Sequence, residues 1–245
     1  MQHIKIKGMW LAALLAWPMA GFAADSGTNV VWKNNIALGA TYKDGNTDQT
    51  LFTLNLKGDR TSPKNDWINS LHAEYGKTDG EQTQGQVRGQ SDWRYKFGGK
   101  NFYGGAFGEA YYDDIKEIRT RLKLGPQIGY YFINKETMKL DISGGLNYVY
   151  ERTAASEGHF GEFRLAGNYL WDFSEVASYY LNAEYSVNVE DADDGNGLLV
   201  TGLKTKMNEQ LSLFIELRDE YDNSPATETT EYNDITIIAG LGYDF

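Results

Sequence analysis

The sequence predicts an all-β chain folded as a 12-stranded antiparallel up-and-down transmembrane β-barrel, and three observations predict it. Beyond residue 32, apolar and polar residues alternate in twelve runs, the period of strands whose successive side chains point to opposite faces. The runs are about ten residues long, which suits a tilted membrane-crossing strand of about 9–11 residues better than a sandwich strand of about five or six. Aromatic residues gather where the runs end, on their apolar side, as they do at the two water boundaries of a membrane barrel.

The runs lie near 33–43, 50–60, 67–77, 84–97, 101–112, 117–132, 137–151, 160–172, 177–189, 197–207, 210–221 and 232–245. The first turns Ile36, Leu38, Ala40 and Tyr42 outward, and the second Phe52, Leu54 and Leu56, with Lys57 inside. The third sets Trp67, Leu71, Ala73 and Tyr75 outward against Ser70, His72 and Glu74. In the fourth, Trp93, Tyr95 and Phe97 oppose Arg88, Asp92 and Arg94; in the fifth, Phe102 and Tyr112 oppose Glu109. The sixth places Ile118, Leu122, Leu124, Ile128, Tyr130 and Phe132 outside and Arg119, Arg121 and Lys123 in one inner row. The seventh shows Met138, Leu140, Ile142, Leu146 and Tyr148 to lipid and Asp141 to the lumen. The eighth carries Glu162 and Arg164 inside and Trp171 outside, with Phe173 just beyond. Glu184 is the inner charge of the ninth run, between Tyr179 and Tyr185, and Lys204 that of the tenth. The eleventh pairs outer Leu211, Leu213, Ile215 and Leu217 with inner Glu216 and Arg218. The last alternates Ile235, Ile237, Ala239, Leu241, Tyr243 and Phe245 to its final residue, and a terminal aromatic there is the expected signal for the barrel assembly machinery.

The connections alternate between a short set, "FGGKN", "INKET" and "MNEQ", and a long set, "GKTDGEQTQ", "RTAASEGH", "VEDADDGNG" and "YDNSPATETTEYN". Membrane barrels have tight periplasmic turns and longer outer loops, and an even strand count puts both termini beside the tight turns. No run with a helical period interrupts the pattern. The expected organisation is a signal peptide over 1–23, a periplasmic N-terminal segment over 24–32 and the barrel over 33–245. Lys5 and Lys7 precede the apolar "MWLAALLAWPMAGFA", and the small residues Gly21 and Ala23 set a cleavage site before Ala24. That apolar stretch is too short for a good membrane span.

The chain has 245 residues, no cysteine and a formal charge of -11. Disulfides are therefore excluded, and the negative balance argues against nucleic acid. Lipids of the outer membrane, lipopolysaccharide and small ions or solutes are the expected partners, with no cofactor.

Three stretches carry a family resemblance: "LGATYKDGNTDQTLFTLNLKGD" (Leu38 to Asp59), "FYGGAFGEAYYDDIKEIRTRLKLGPQIGYYF" (Phe102 to Phe132) and "YDNSPATETTEYNDITIIAGLGYDF" (Tyr221 to Phe245). Together they resemble the YdiY-like family of salt-induced outer-membrane proteins. The resemblance implies an outer-membrane barrel with a stress-linked role and supplies no catalytic residues.

Candidate sites each have a plainer reading beside them. Ser70, His72 and Glu74 suggest a lipid hydrolase, but they point into the lumen, and alternate residues of a strand lie about 7 Å apart. The inner charges are either an internal salt network or, through Arg119, Arg121 and Lys123, a basic track for small anions. Asp44, Asp48, Asp79, Glu81, Asp113, Asp114, Glu157, Glu190, Asp191, Asp193, Asp194, Glu228 and Glu231 make an acidic outer rim. Within it "DADDGNG" resembles the start of a calcium loop, yet Gly202 stands where the closing glutamate belongs; the plainer reading is a solvated hairpin, the sharper one loose binding of divalent ions that bridge lipopolysaccharide phosphates. His159 reads as an ordinary surface residue, and no metal cluster is expected. The functional expectation is a non-enzymatic barrel acting as a narrow passive channel or a structural, stress-related envelope protein, with a hydrolase or a loop-mediated adhesin as alternatives.

Overall fold

The structure, a computed structural model, describes residues 30–43, 49–98, 101–224 and 232–245. The expected signal peptide, most of the segment 24–32, the "GNTD" tip with Asp44 and Asp48, Glu228, Glu231 and the side chain of Tyr42 lie outside the described residues.

Twelve strands form: β1 (Val31–Lys43), β2 (Gln49–Thr61), β3 (Asn65–Thr78), β4 (Glu81–Lys96), β5 (Phe102–Asp113), β6 (Ile118–Asn134), β7 (Met138–Thr153), β8 (Glu157–Asp172), β9 (Ala177–Asn188), β10 (Gly195–Lys206), β11 (Leu211–Asp222) and β12 (Asn233–Asp244). Each pairs antiparallel with its sequence neighbours, and β1 pairs with β12 to close the barrel. At the seam Ile36 faces Tyr243 and Leu38 faces Leu241. Two backbone bonds between Asn34 and Phe245, of 3.2 and 3.0 Å, tie the final residue to β1. Closure leaves no unpaired edge, which a sheet in hydrocarbon cannot tolerate.

The alternation falls as the sequence predicts, with the sense of a soluble protein reversed. On β6 the outward Leu124 and Ile128 are 67% and 61% exposed, while the inward Lys123 and Gln127 are 6% and 7% exposed. An apolar outside around a charged inside has no second protein layer to cover it.

Aromatic rings mark two levels. At the end carrying the termini, Trp67 and Trp93 are cross-strand partners, and Phe102 meets Tyr130 at 4.7 Å, which meets Phe132 at 4.9 Å. Trp171–Phe173 and Tyr243–Phe245 continue this band at 5.5 and 6.1 Å. Near the far end Tyr75, Tyr148 and Tyr185 are outward and exposed.

The loops differ from expectation. "GKTDGEQTQ" is not a long loop: β3 and β4 run on to Thr78 and Glu81 and are joined by Asp79 and Gly80 alone. Their φ values, 50° and 84°, are both positive, as a two-residue type I′ hairpin requires. "RTAASEGH" shrinks to 154–156 and "VEDADDGNG" to 189–194, lengths close to those of the opposite turns at 62–64, 97–101 and 173–176. The β11–β12 connection, 223–232, is the long one. A strand that leaves the apolar layer loses its hydrophobic face without losing its hydrogen-bond ladder, so its polar continuation reads as a loop.

Candidate functional site

The interior of the barrel is the candidate site, and its three levels follow from which strands bring which charges to the same height. Among the described residues the lumen is open at the end where β1 begins and β12 finishes. A cavity of about 440 Å³ runs from Thr61, Lys96 and Lys139 at the rim up to Arg88 and Arg218. Its wall is held by Arg94 of β4, whose guanidinium lies 2.7 Å from Asp92 and 3.2 Å from Asp141 of β7. Tyr103 donates to Asp141 at 2.9 Å, and Lys96 pairs with Asp66 at 2.7 Å. Gln127 also donates to Asp92. Lys57 sits 5.3 Å from the ring of Tyr180, which donates to Glu216 at 2.7 Å.

Above this vestibule the walls meet. Arg88 of β4 is 4.0 Å from Glu109 of neighbouring β5 and 3.7 Å from Glu220 of β11, a strand on nearly the opposite wall. Arg218 of β11 reaches the other way, with Nε 3.3 Å from His72 Nε2 of β3. Lys123 is clasped by Glu162 at 2.7 Å and Glu109 at 3.8 Å, and Arg164 by Glu184 at 2.7 Å. The Arg164 guanidinium also lies 3.7 Å from the centre of the Phe107 ring. Burying so many charges is tolerable because each faces an opposite one. The result is a waist of crossed ion pairs.

At the far end a second cavity, of about 330 Å³, opens among the loops beside Lys116, Glu117, Asp194 and Asp222. A hole of about 30 Å³ lies between the two cavities. It shares Arg88 and Leu198 with the vestibule and Lys116 and Arg121 with the mouth. A space of this size suits one water or so, and its lining includes Ser186 Oγ and Arg88 Nε, buried atoms without a hydrogen-bond partner.

Fifteen of the sixteen predicted inner charges turn inward. Lys204 pairs with Asp244 at 2.8 Å near the terminal rim. Arg119 does not join them. The register slips between Ile118 and Thr120, so Ile118 takes the inner position opposite Asp113, is 5% exposed, and leaves Arg119 facing out onto Asp114 at 3.2 Å. A one-residue bulge exchanges the two faces of a strand. The basic row expected on β6 is therefore broken, and its remaining members are neutralised, Arg121 by Glu151 and Lys123 by Glu162.

Ser70, His72 and Glu74 do share the inner face, but they are not wired for nucleophilic chemistry. His72 Nδ1 lies 2.6 Å from Asn55 Oδ1 and Nε2 lies 2.9 Å from Glu74, so both ring nitrogens are engaged. No hydrogen bond joins Ser70 to His72 among the described residues. In "DADDGNG", Asp191 caps its own turn by accepting from Asp193 N at 3.1 Å, and Asp194 accepts from Asn188 at 3.0 Å. Among the described residues no three His, Cys, Asp or Glu are grouped to hold a metal ion. His159 stacks on Tyr148 at 5.9 Å.

Several site residues escaped the sequence reading. Glu220 follows Glu216 and Arg218 at strict intervals of two, so its inward position was legible. Tyr103, Phe107 and Tyr111 share Glu109's face by the same count; the expectation that aromatics face lipid concealed them. Lys116 had no signal at all. It lies in the β5–β6 connection, where Asp113 Oδ1 accepts from the backbone N–H groups of Ile115 and Lys116, both at 2.9 Å. That turn folds Lys116 over the mouth, 3.4 Å from Glu220 and 3.1 Å from Asp234.

Solved structures include barrels similar to this one. A NanC porin structure aligns with a TM-score of 0.53 and 10% identity, covering 86% of this chain and 98% of that one. A KdgM porin in complex with disordered oligogalacturonate gives 0.47 and 10%, covering 86% and 99%. The translocator domain of the autotransporter NalP from Neisseria meningitidis gives 0.45 and 12%, covering 97% and 95%. At 10% identity the likeness to the NanC porin structure is one of fold. No curated protein matches the sequence. The family model described as "Protein of unknown function, DUF481" matches residues 36–245, nearly the whole barrel, and the chain belongs to that family.

Proposed function

We propose that this chain is a non-enzymatic barrel of the bacterial outer membrane that forms a narrow, normally closed passive channel. Its apolar, aromatic-banded exterior suits a bilayer, where outer-membrane lipids and lipopolysaccharide surround it. The observation that carries the channel reading is the pair of cavities, about 440 and 330 Å³, separated by a charged waist with a hole of only about 30 Å³. A purely structural barrel has no need of two solvent-sized vestibules aligned on one polar path. Ions and water are the solutes that fit such a waist.

The test is conductance in planar bilayers. The wild type is expected to show small, infrequent steps. Replacing the cross-lumen pair by Arg88→Ala with Glu220→Ala removes one charge of each sign, while Glu109 keeps Lys123 and Lys116 keeps Asp234, and is expected to raise the unit conductance at least severalfold. A doubly substituted barrel that assembles and still conducts no more than the wild type would return the protein to a structural role in the envelope.

A further inference from the structure

Lys116 is unlike the other cations of the lumen. Those at the waist project from strands and are fixed by the sheet, whereas Lys116 is delivered by a connection and reaches across to strands β11 and β12. Its ammonium sits between two carboxylates, 3.4 Å from Glu220 and 3.1 Å from Asp234. It lines the hole at the waist, the mouth cavity and the small space beneath Asp234. Glu220 is 7% exposed, and its Oε1 has no hydrogen-bond partner, lying 3.7 Å from Arg88 and 3.8 Å from Arg218. Above the ammonium, the 330 Å³ cavity presents Glu117, Asp194 and Asp222, and the other cation lining it, Arg121, is held by Glu151.

We infer that Glu220 and Asp234 form a binding site for soluble organic ammonium ions, which enter the acidic mouth and compete with the tethered Lys116 ammonium. The chemistry is that already displayed by Lys116: a primary ammonium offers three N–H donors to two carboxylates. A linear diamine matches further, because its second ammonium meets the acidic cavity above. Burial opposes the charge on Lys116, but Glu220 and Asp234 outweigh it and hold its pKa above the usual lysine range, so the site keeps its preference for the ionised form. A tethered occupant lowers the apparent affinity for a free one by the fraction of time it holds the site. The ammonium ligand thus both binds and unlatches the connection. This deepens the channel reading by naming a ligand class for its mouth, yet it does not require that the waist conduct.

Isothermal titration of 1,4-diaminobutane into the full-length barrel in detergent separates the two. Lys116→Met removes the tethered competitor and is expected to tighten binding roughly tenfold or more. Adding Asp234→Asn or Glu220→Gln to that variant is expected to abolish the heat, and tetramethylammonium, which has no N–H donor, is expected to bind far more weakly. Each variant is first shown to be folded by its heat-dependent gel shift; should the buried Glu220→Gln fail to assemble, Asp234→Asn at the rim decides the matter. Equal affinity in wild type and Lys116→Met, no binding by Lys116→Met, or indifference to Asp234→Asn would overturn the assignment, whatever the conductance shows.

Discussion

Lys123 shows how single residues hold this interior together. Its ammonium is buried on an inward position of β6 and is shared by Glu162 and Glu109, carboxylates on two other strands. A lysine so placed was readable from alternation alone, since Leu122 and Leu124 on either side are apolar. Glu109 is its direct cross-strand partner on adjacent β5 and follows from the same count, whereas Glu162 stands two strands away on β8 and comes within reach only through the curvature of the wall. Removing one member of a buried ion group leaves the others as uncompensated charges, at a cost of about 3 kcal/mol. Lys123→Met is therefore expected to lower the urea midpoint of unfolding clearly, and adding Glu162→Gln to recover part of the loss. Additive losses from the two substitutions would mean that the groups do not act as a pair. Arg119 teaches the complementary lesson: it has the right residue type at the right interval from Arg121, and a bulge that no residue near it announces turns it out of the lumen.

Among the elements, the hairpin of β3 and β4 is the instructive one. Its apolar pattern fades after Tyr75, and the polar "GKTDGEQTQ" reads as a loop, although the Asp-Gly inside it is a strong signal for a two-residue turn. Counting turn chemistry before hydrophobicity would have extended both strands to Thr78 and Glu81. Gly80 has φ of 84°, a conformation that costs a side chain about 1 kcal/mol or somewhat more. Gly80→Val is expected to destabilise the barrel by about that amount, whereas Gly98→Val, in a short turn and not among the positive-φ residues, is expected to cost less. Equal losses measured by chemical denaturation would contradict the turn assignment. The β5–β6 connection is the opposite case: its "DDIKE" gives no hint that Asp113 bends the backbone so that Lys116 lies across the mouth. A turn residue and a reach of several side-chain bonds combine there, and only the closed barrel supplies the far wall.

At the scale of the whole molecule, strand number, antiparallel order, closure and the split between an apolar outside and a charged inside were all legible, because each repeats around the barrel and errors in one run are outvoted by the rest. The waist was not, because it depends on contacts across the lumen between strands that are not neighbours, such as Arg88 of β4 with Glu220 of β11 and Arg218 of β11 with His72 of β3. Sequence order carries the neighbour relation of an up-and-down barrel but says nothing of what meets across its axis. The three-level lumen is thus a property of the closed fold, and the proposed channel and its ammonium site both depend on it.

The barrel and the proposed channel both require hydrocarbon to cover the outer face, and the absence of cysteine makes that directly measurable. Single cysteines placed at Leu122, Leu124, Pro126, Gln127 and Ile128 on β6, labelled with a fluorophore and reconstituted in liposomes, report their surroundings through quenching by a lipid-borne agent. The prediction is strong quenching at the outward Leu122, Leu124, Pro126 and Ile128 and weak quenching at the inward Gln127; Gly125 is left unchanged because a side chain there would meet the Leu146 carbonyl, and Lys123 because its buried ion group holds the wall. Uniform quenching along the strand, or outward positions reached by an aqueous quencher alone, would contradict it.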